Sequence, residues 1–562
     1  MTFNLLSDRM FPVVMRGGGR VWLSFPELAA GRTADDEYAL DFDWGRPDLD
    51  TASFELCIGI CQLAFDIRNG DDWRLLWTAS LSAEAIAGKI EPLLSAFVLD
   101  GDGPRFLQDL EPFEVLAKEA DINAIEALFI DTPGQNGQKK NADLLTHRDR
   151  FAGLGLPAAA MALYALQAFA PAGGAGNRTS MRGGGPLTAL VMPTAADGEA
   201  PVSLWRKILA NVCYADRVKP GNLETVLPWL SPTLTSGKEA GGRMINPARD
   251  GAAHPLQAFF GMPRRLRLVF ADAPGTCALT GTKGPVAVGF VQRPFGVNYG
   301  IWRHPLTPYR RQKEGAEPYS AKPKTGRFGY RDWVSVTIGQ QEGLLADMAE
   351  TVACARRERG GALLSCGADP RIRVAGWAMN NMEAVAYLFS EQPLHLAPTA
   401  AKAELLEKTA RDLARSADLA LSALRDALRR GLFGPAGADG DKGVLSQAQT
   451  AFYEQTDAAF HELLDRLLVD AGGKDDAGRA IADGSRRAWL SRLRRTALRL
   501  FDQLVPVPVD DFEKAEPIVA AYQGLALTLS GYGKVGARLF AELELPVPEK
   551  RQRTGQEERE EA

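Results

Sequence analysis

The sequence is poor in cysteine and histidine, and what it has of each is scattered. Six cysteines stand at 57, 61, 213, 277, 354 and 366. Only Cys57 and Cys61 are close, at a spacing that places both on one helix face. There is no C-x2-C pair and no second pair to complete a four-ligand zinc site. All six are expected to be reduced thiols in a cytoplasmic protein, and a chain of 562 residues can bury a large core without a disulfide or metal staple. The five histidines, at 147, 254, 304, 395 and 461, show no metal spacing, and no G-x-S-x-G elbow is present. An excess of positive charge is also missing. Lys and Arg total 65 against 70 Asp and Glu, a net charge of −5. That excludes a basic protein that coats nucleic acid, so any nucleic-acid contact must come from local patches. A bilayer-spanning run is absent too: residues 151–177 carry no charged side chain, but Pro157 interrupts them. The apolar part, Ala158–Ala170, is well short of the roughly 20 residues a span needs, so a buried helix is predicted. The start, MTFNLLSDRMFPVV, is broken by Asp8, Arg9 and Pro12 and does not read as a secretory signal.

What is present divides into two parts. Residues 1–395 mix short β-like runs (20–23, 187–191, 266–270, 287–291) with helical stretches at 55–65 and 203–212, separated by long glycine-rich loops. Strands and helices do not alternate regularly, so a doubly wound parallel sheet is not expected. From about Thr399 the pattern becomes helical. Helices are predicted over 399–430, 446–469 and 476–504. A fourth follows Asp510-Asp511 and is weakened by Gly524, Gly531, Gly533 and Gly536. The predicted fold class is α+β: a mixed α/β domain over 1–395, a four-helix bundle over 396–546, and a charged tail without periodicity over 547–562 that reads as disordered.

Matches to catalytic and nucleotide motifs are fragments. Gly174-Ala175-Gly176 follows a helical run and lacks the third glycine of a dinucleotide fingerprint. Gly281-Thr282-Lys283-Gly284 lacks the P-loop hydroxyl, and His147-Arg148-Asp149 has Leu154 where a kinase loop needs asparagine. His304 in Trp302-Arg303-His304-Pro305 reads as a structural turn residue, and no catalytic residue is assigned. Four surface features stand out instead. The polar, basic stretch Pro133-Gly134-Gln135-Asn136-Gly137-Gln138-Lys139-Lys140 suits phosphate, or is a solvated loop. The run Ala172–Gly176, before Asn177-Arg178 and Arg182-Gly183-Gly184-Gly185-Pro186, has no bulky side chain. Its backbone can approach a ligand, or it is a mobile connector. Asn380-Asn381-Met382, between a strand-like Ile372–Ala375 and the apolar run Ala384–Phe389, fits a hairpin tip, either a wedge for base pairs or an ordinary turn. Arg492, Arg495 and Arg499 share a helix face, either tracking a phosphate backbone or forming a solvated or ion-paired face.

Taken in order, these features resemble one family: CasA, the large subunit of the type I-E CRISPR surveillance complex, Cascade. The pieces that carry the resemblance are Phe3-Asn4-Leu5-Leu6 with Phe11-Pro12-Val13; Cys57-Ile58-Gly59; Phe129 with Pro133-Gly134-Gln135; and the glycine loop leading into 182–188. Gly289-Phe290 with Trp302-Arg303-His304-Pro305-Leu306-Thr307-Pro308, and Gly376-Trp377-Ala378-Met379-Asn380-Asn381-Met382, complete the set. The resemblance covers almost the whole chain. It implies a non-catalytic subunit without cofactor that reads the PAM on double-stranded DNA from the minor-groove side while guide RNA reads the target. It places Gly173, Gly174, Ala175, Gly176 and Asn177 on the PAM, with Arg293 as the nearest match to a basic contact, and Asn380, Asn381 and Met382 as the wedge that opens the duplex.

The same resemblance sets Phe129, Pro133, Gly134, Gln135, Lys139 and Lys140 near the 5′ handle of the CRISPR RNA and the PAM end. The bundle, with Arg492, Arg495 and Arg499, would help hold the displaced strand. The implied partners are the other Cascade subunits and a helicase–nuclease docked in trans, with no membrane. Two departures stand out. Met382 occupies a wedge position that is glutamine in some relatives, so it would act by stacking and sterics. Cys277 stands where some relatives begin a zinc pair, but its partner position is Thr280 and the second pair is missing, so no zinc is expected. The competing reading is an interaction scaffold that binds only proteins.

Overall fold

The computed structural model describes residues 2–29, 37–134, 138–139, 149–174, 176–215, 220–245, 253–300, 302–339, 345–365, 368–380, 382–434, 442–470, 475–508 and 511–548. The chain divides into two compact units, Met1–Phe328 with Ser335–Leu396, and Gly329–Val334 with Ala397–Ala562.

The first unit is built around two apolar helices. Pro47–Ala64 begins with proline at its first turn and carries Asp48 and Asp50 there, where the helix dipole favours negative charge. From Thr51 to Gln62 it is buried on every side. Gly59 is required at one crossing, because a Cβ there would lie 2.7 Å from Phe259 Cβ. The charge-free run forms the helix Leu156–Phe169, buried along nearly its whole length, so its composition reflects interior position. No helix among the described residues is long and apolar enough to cross a membrane.

Two antiparallel sheets frame these helices. In one, Ala368–Asn380 is the central strand between Thr188–Ala195 and Glu383–Pro393. In the other, Val286–Arg293 pairs with Arg265–Phe270 and with short strands at Asn123–Ala124 and Leu154–Gly155. Phe11–Met15, Arg20–Leu23 and Ala39–Phe42 make a third, small sheet. The architecture is α+β, and among the described residues the named strands pair antiparallel, without the parallel crossovers of a doubly wound sheet.

The second unit is helical: Ala400–Phe433, Lys442–Asp470, Asp475–Leu504, Phe512–Thr528 and Gly533–Glu542. The single fourth helix expected from the sequence is two helices. Gly531 and Gly533 take φ of +96° and +75°, a conformation that ends one helix before the next begins. Trp489 is fully buried, and its indole N–H donates to the Leu413 carbonyl at 2.8 Å. Tyr330, from the short segment Gly329–Val334, stacks on Phe460 with ring centres 4.7 Å apart, and its backbone N–H donates to Asp457 Oδ1 at 2.9 Å. Arg486 is buried between Asp412 (3.1 Å) and Glu544 (2.7 Å).

Candidate nucleic-acid interface

The glycine loop begins where Pro171 follows the helix Leu156–Phe169. Gly174 and Gly176 have φ of +67° and +80°, which L side chains adopt at a cost. The Asn177 N–H closes the turn on the Gly174 carbonyl at 2.7 Å. The two glycines do different work. A Cβ on Gly176 would lie 2.8 Å from the Phe295 ring, so this glycine is packed. A Cβ on Gly174 would meet nothing within 4 Å, so Gly174 is an open crest.

Two hydrogen bonds tie the loop directly to the end of the strand Val286–Arg293, and a further tie runs through Ser236, whose hydroxyl donates to the Gly296 carbonyl at 2.7 Å. Phe295 N–H donates to the Gly176 carbonyl at 2.9 Å, Gln292 Nε2 donates to Asn177 Oδ1 at 2.5 Å, and Arg178 grips the hydroxyl and carbonyl of Ser236, each at 2.8 Å. Arg293 ends this strand, so the loop and Arg293 share one neighbourhood. Its guanidinium lies 4.5 Å over the Phe113 ring and pairs with Glu111, with the side chain still 41% exposed. The charge at this position is therefore partly balanced within the protein.

On the other side the loop is continuous with the hairpin. A Cβ on Gly184 would sit 2.5 Å from Pro171 Cα, and one on Gly185 would collide with the Trp377 carbonyl and sit 2.8 Å from Met379 Cγ. The run Arg182-Gly183-Gly184-Gly185 is thus pressed between the base of the glycine loop and the strand leading to the tip. A buried ion pair pins it: Arg182 meets Glu55 at 2.8 and 3.0 Å, and Glu55 also accepts from Thr188 Oγ1 at 2.7 Å. Lys322 Nζ donates to the Arg182 carbonyl at 2.9 Å, and burial together with the Arg182 charge draws this amine down to about 7.

Asn380 pairs with Glu383 across the hairpin, and Met382 lies beyond it at φ +70° and 61% exposed. Asn381 lies outside the described residues, as do Ala175, Gln135 and Lys140. The strands are longer than the runs read from the sequence, because Glu383–Pro393 is an edge strand whose half-exposed side chains hide its alternation.

The remaining expected positions are placed differently from one another. Phe129 is 3% exposed, enclosed between the Arg46 guanidinium at 4.5 Å and the Phe151 ring at 4.7 Å. In this conformation its ring has no free face. Pro133 is half-buried, while Gly134 and Lys139 are exposed. In the helical unit, Arg492, Arg495 and Arg499 are all exposed. Arg499 donates to Gln455 Oε1 at 2.6 Å, and Arg492 and Arg495 have no ion-pair partner among the described residues. His304 is 2% exposed with its ring 4.7 Å from that of Phe259, and burial holds its imidazole well below the usual range. His147 lies outside the described residues. Cys277 is buried in a hairpin turn where the Thr280 and Thr282 hydroxyls meet at 2.9 Å.

The family model for CRISPR-associated protein Cse1 matches residues 4–500. This chain belongs to the CRISPR-associated Cse1 family. Solved structures share its fold. Thermus thermophilus CasA matches with a TM-score of 0.65 at 16% identity, covering 96% of this chain and 100% of that one. Thermobifida fusca Cse1 matches at 0.64 and 18%, covering 96% and 98%. A chain of a CRISPR RNA-guided surveillance complex matches at 0.65 and 13%, covering 93% and 99%. The family read from the sequence motifs is thus the family the chain belongs to.

Sequence reading of this Cse1 chain missed Gln292, Phe295 and Ser236, which hold the glycine loop, and Glu111 and Phe113, which hold Arg293. Only Phe295 carried a local signal. The motif Arg293-Pro294-Phe295-Gly296 is a strand end followed by a turn, and Phe295 itself takes φ +61°.

Proposed function

We propose that this Cse1-family chain is the PAM-reading large subunit of a type I-E RNA-guided surveillance complex and carries no catalytic step of its own. The observation that carries the reading is the continuity of three elements on one unit. The loop with its open crest at Gly174 is hydrogen-bonded to the strand end with Arg293, and a glycine run packed on both sides joins its base to the strand leading to the exposed Met382. A minor groove about 6 Å wide admits a bare backbone more readily than a helix, and Gly174 offers backbone without a side chain. Arg293, partly neutralised by Glu111, suits a contact that positions more than it binds. Met382 stacks against a base step by sterics and dispersion, with no hydrogen bond to give.

Such a reader is permissive. A·T and T·A present the same acceptors in the minor groove, and opening the duplex needs only nucleation, because exchanging DNA duplex for RNA–DNA hybrid is nearly balanced. In this reading Pro133, Gly134 and Lys139 face the 5′ handle of the guide, and the exposed Arg492 and Arg495 follow the displaced strand. The remaining surface meets the other Cascade subunits and the helicase–nuclease in the cytoplasm.

Cross-linking tests this directly. A photo-reactive residue at Ala172 or at Met382, in guide-loaded complex on a target duplex, should label the base pairs flanking the guide-matched segment. Labelling of protein subunits alone from both positions would favour the scaffold reading.

A further inference from the structure

The segment after the helix Leu204–Leu209 lies along the helical stretch that starts at Glu350. Three side-chain pairs join them in order. Thr351 Oγ1 donates to Asn211 Oδ1 at 2.8 Å, Cys354 meets Cys213, and Tyr214 OH donates to Glu358 Oε2 at 2.5 Å. The cysteine pair is flanked by Glu350, one turn before Cys354 on the helix. The sulfurs of Cys213 and Cys354 and a Glu350 carboxylate oxygen all lie within 4.8 Å of one another.

We infer that Cys213, Cys354 and Glu350 form a binding site for a thiophilic divalent cation of the zinc type, with a fourth position open to water. Two thiolates and a carboxylate are a zinc ligand set, and zinc with sulfur bonds of about 2.3 Å draws two sulfurs to about 3.8 Å, within the reach seen here. Both cysteines are buried while Glu350 is at the surface, which leaves a route for the ion.

A second observation points the same way. Arg359 is 1% exposed, lies over the rings of Trp73 and Tyr214 at 4.5 and 4.9 Å, and leaves Nε and Nη2 without a hydrogen-bond partner. A buried guanidinium needs negative charge nearby. Two thiolates and Glu350 carry three negative charges, the cation leaves one, and Arg359 balances it. The helix also changes to wider π turns over Ala355–Arg359, immediately after Cys354, a distortion frequent at functional sites. The helix ends at Leu364, just before the strand Ala368–Asn380, so a bound ion would brace the base of the wedge hairpin.

Spacing along the sequence gave no such hint, because the two cysteines are far apart in the chain and neither belongs to a local cysteine pair. The test uses the full chain, purified under reductant, stripped with chelator and titrated with Zn2+ and with Cd2+. One metal per chain, thiolate-to-cadmium absorption and a rise in Tm are expected. Cys213→Ser and Cys354→Ser each should abolish the absorption, Glu350→Gln should weaken binding about tenfold or more, and Cys277→Ser should change nothing. Absence of binding, a site that survives Cys213→Ser, or a Cys213–Cys354 disulfide persisting under reductant would overturn the assignment. The titration of the parent chain decides the matter even if a variant fails to fold.

Discussion

Replacing Gly174 with aspartate separates the fold from its proposed work. At φ +67° an L residue costs about 1–2 kcal/mol, and aspartate tolerates this region better than most. Because a Cβ at Gly174 meets nothing within 4 Å, no packing penalty is added. A loss of about 1 kcal/mol lowers the Tm of a unit this large by about 2–4 °C at most. In the groove the consequence is larger. A carboxylate about 6 Å from one phosphate, at an effective dielectric of about 20, is repelled by about 3 kcal/mol, which is roughly a hundredfold in affinity. Gly174→Asn is the uncharged control and should retain more binding than the aspartate. Gly176→Asp is the structural control, because its Cβ would meet the Phe295 ring at 2.8 Å and disturb the loop itself. The assay is assembly of the variant into guide-loaded complex by size-exclusion chromatography, then duplex affinity at fixed salt. Normal assembly with parental affinity for Gly174→Asp would show that the crest does not enter the groove.

The other elements make their own predictions. Met382→Ala removes a side chain that is 61% exposed, so stability should change by less than about 0.5 kcal/mol while R-loop yield falls; an undiminished yield would leave the wedge without support. Changing Arg492, Arg495 and Arg499 together to Ala should reduce the salt slope of target binding by roughly 2, at about 0.7 per single-strand phosphate contact; an unchanged slope returns them to a solvated face. Arg182→Met leaves Glu55 buried without its cation and should destabilise the chain by about 3–5 kcal/mol in urea unfolding. Adding Glu55→Gln should recover part of that loss, and a double variant no better than the single would show that the pair does not act as a unit.

The parts of the candidate interface most legible in the sequence were those written in local chemistry. The glycine loop announced itself by lacking side chains, and the hairpin by a polar pair between two β-like runs. The bundle's first three helices were legible from their apolar spacing. What escaped depends on contacts between distant segments. No local pattern says that Phe129 lies closed between Arg46 and Phe151, or that Gly176 is packed while Gly174 is open. The glycines at 531 and 533 signalled a weakness in the last helix, but their left-handed conformation shows it as a break. Cys213 and Cys354 meet only because two segments pack side by side. Helical spacing fits Arg492 and Arg495 to a solvated face or to internal ion pairs alike; both are exposed, with no ion-pair partner among the described residues.

PAM reading by this chain is tested by measuring target-duplex binding by the guide-loaded partner complex, with and without the chain, across a panel of flanking trinucleotides. Tight binding should require both the chain and a subset of flanks, with several flanks tolerated. Equal affinity and equal flank preference in the chain's absence would contradict that reading.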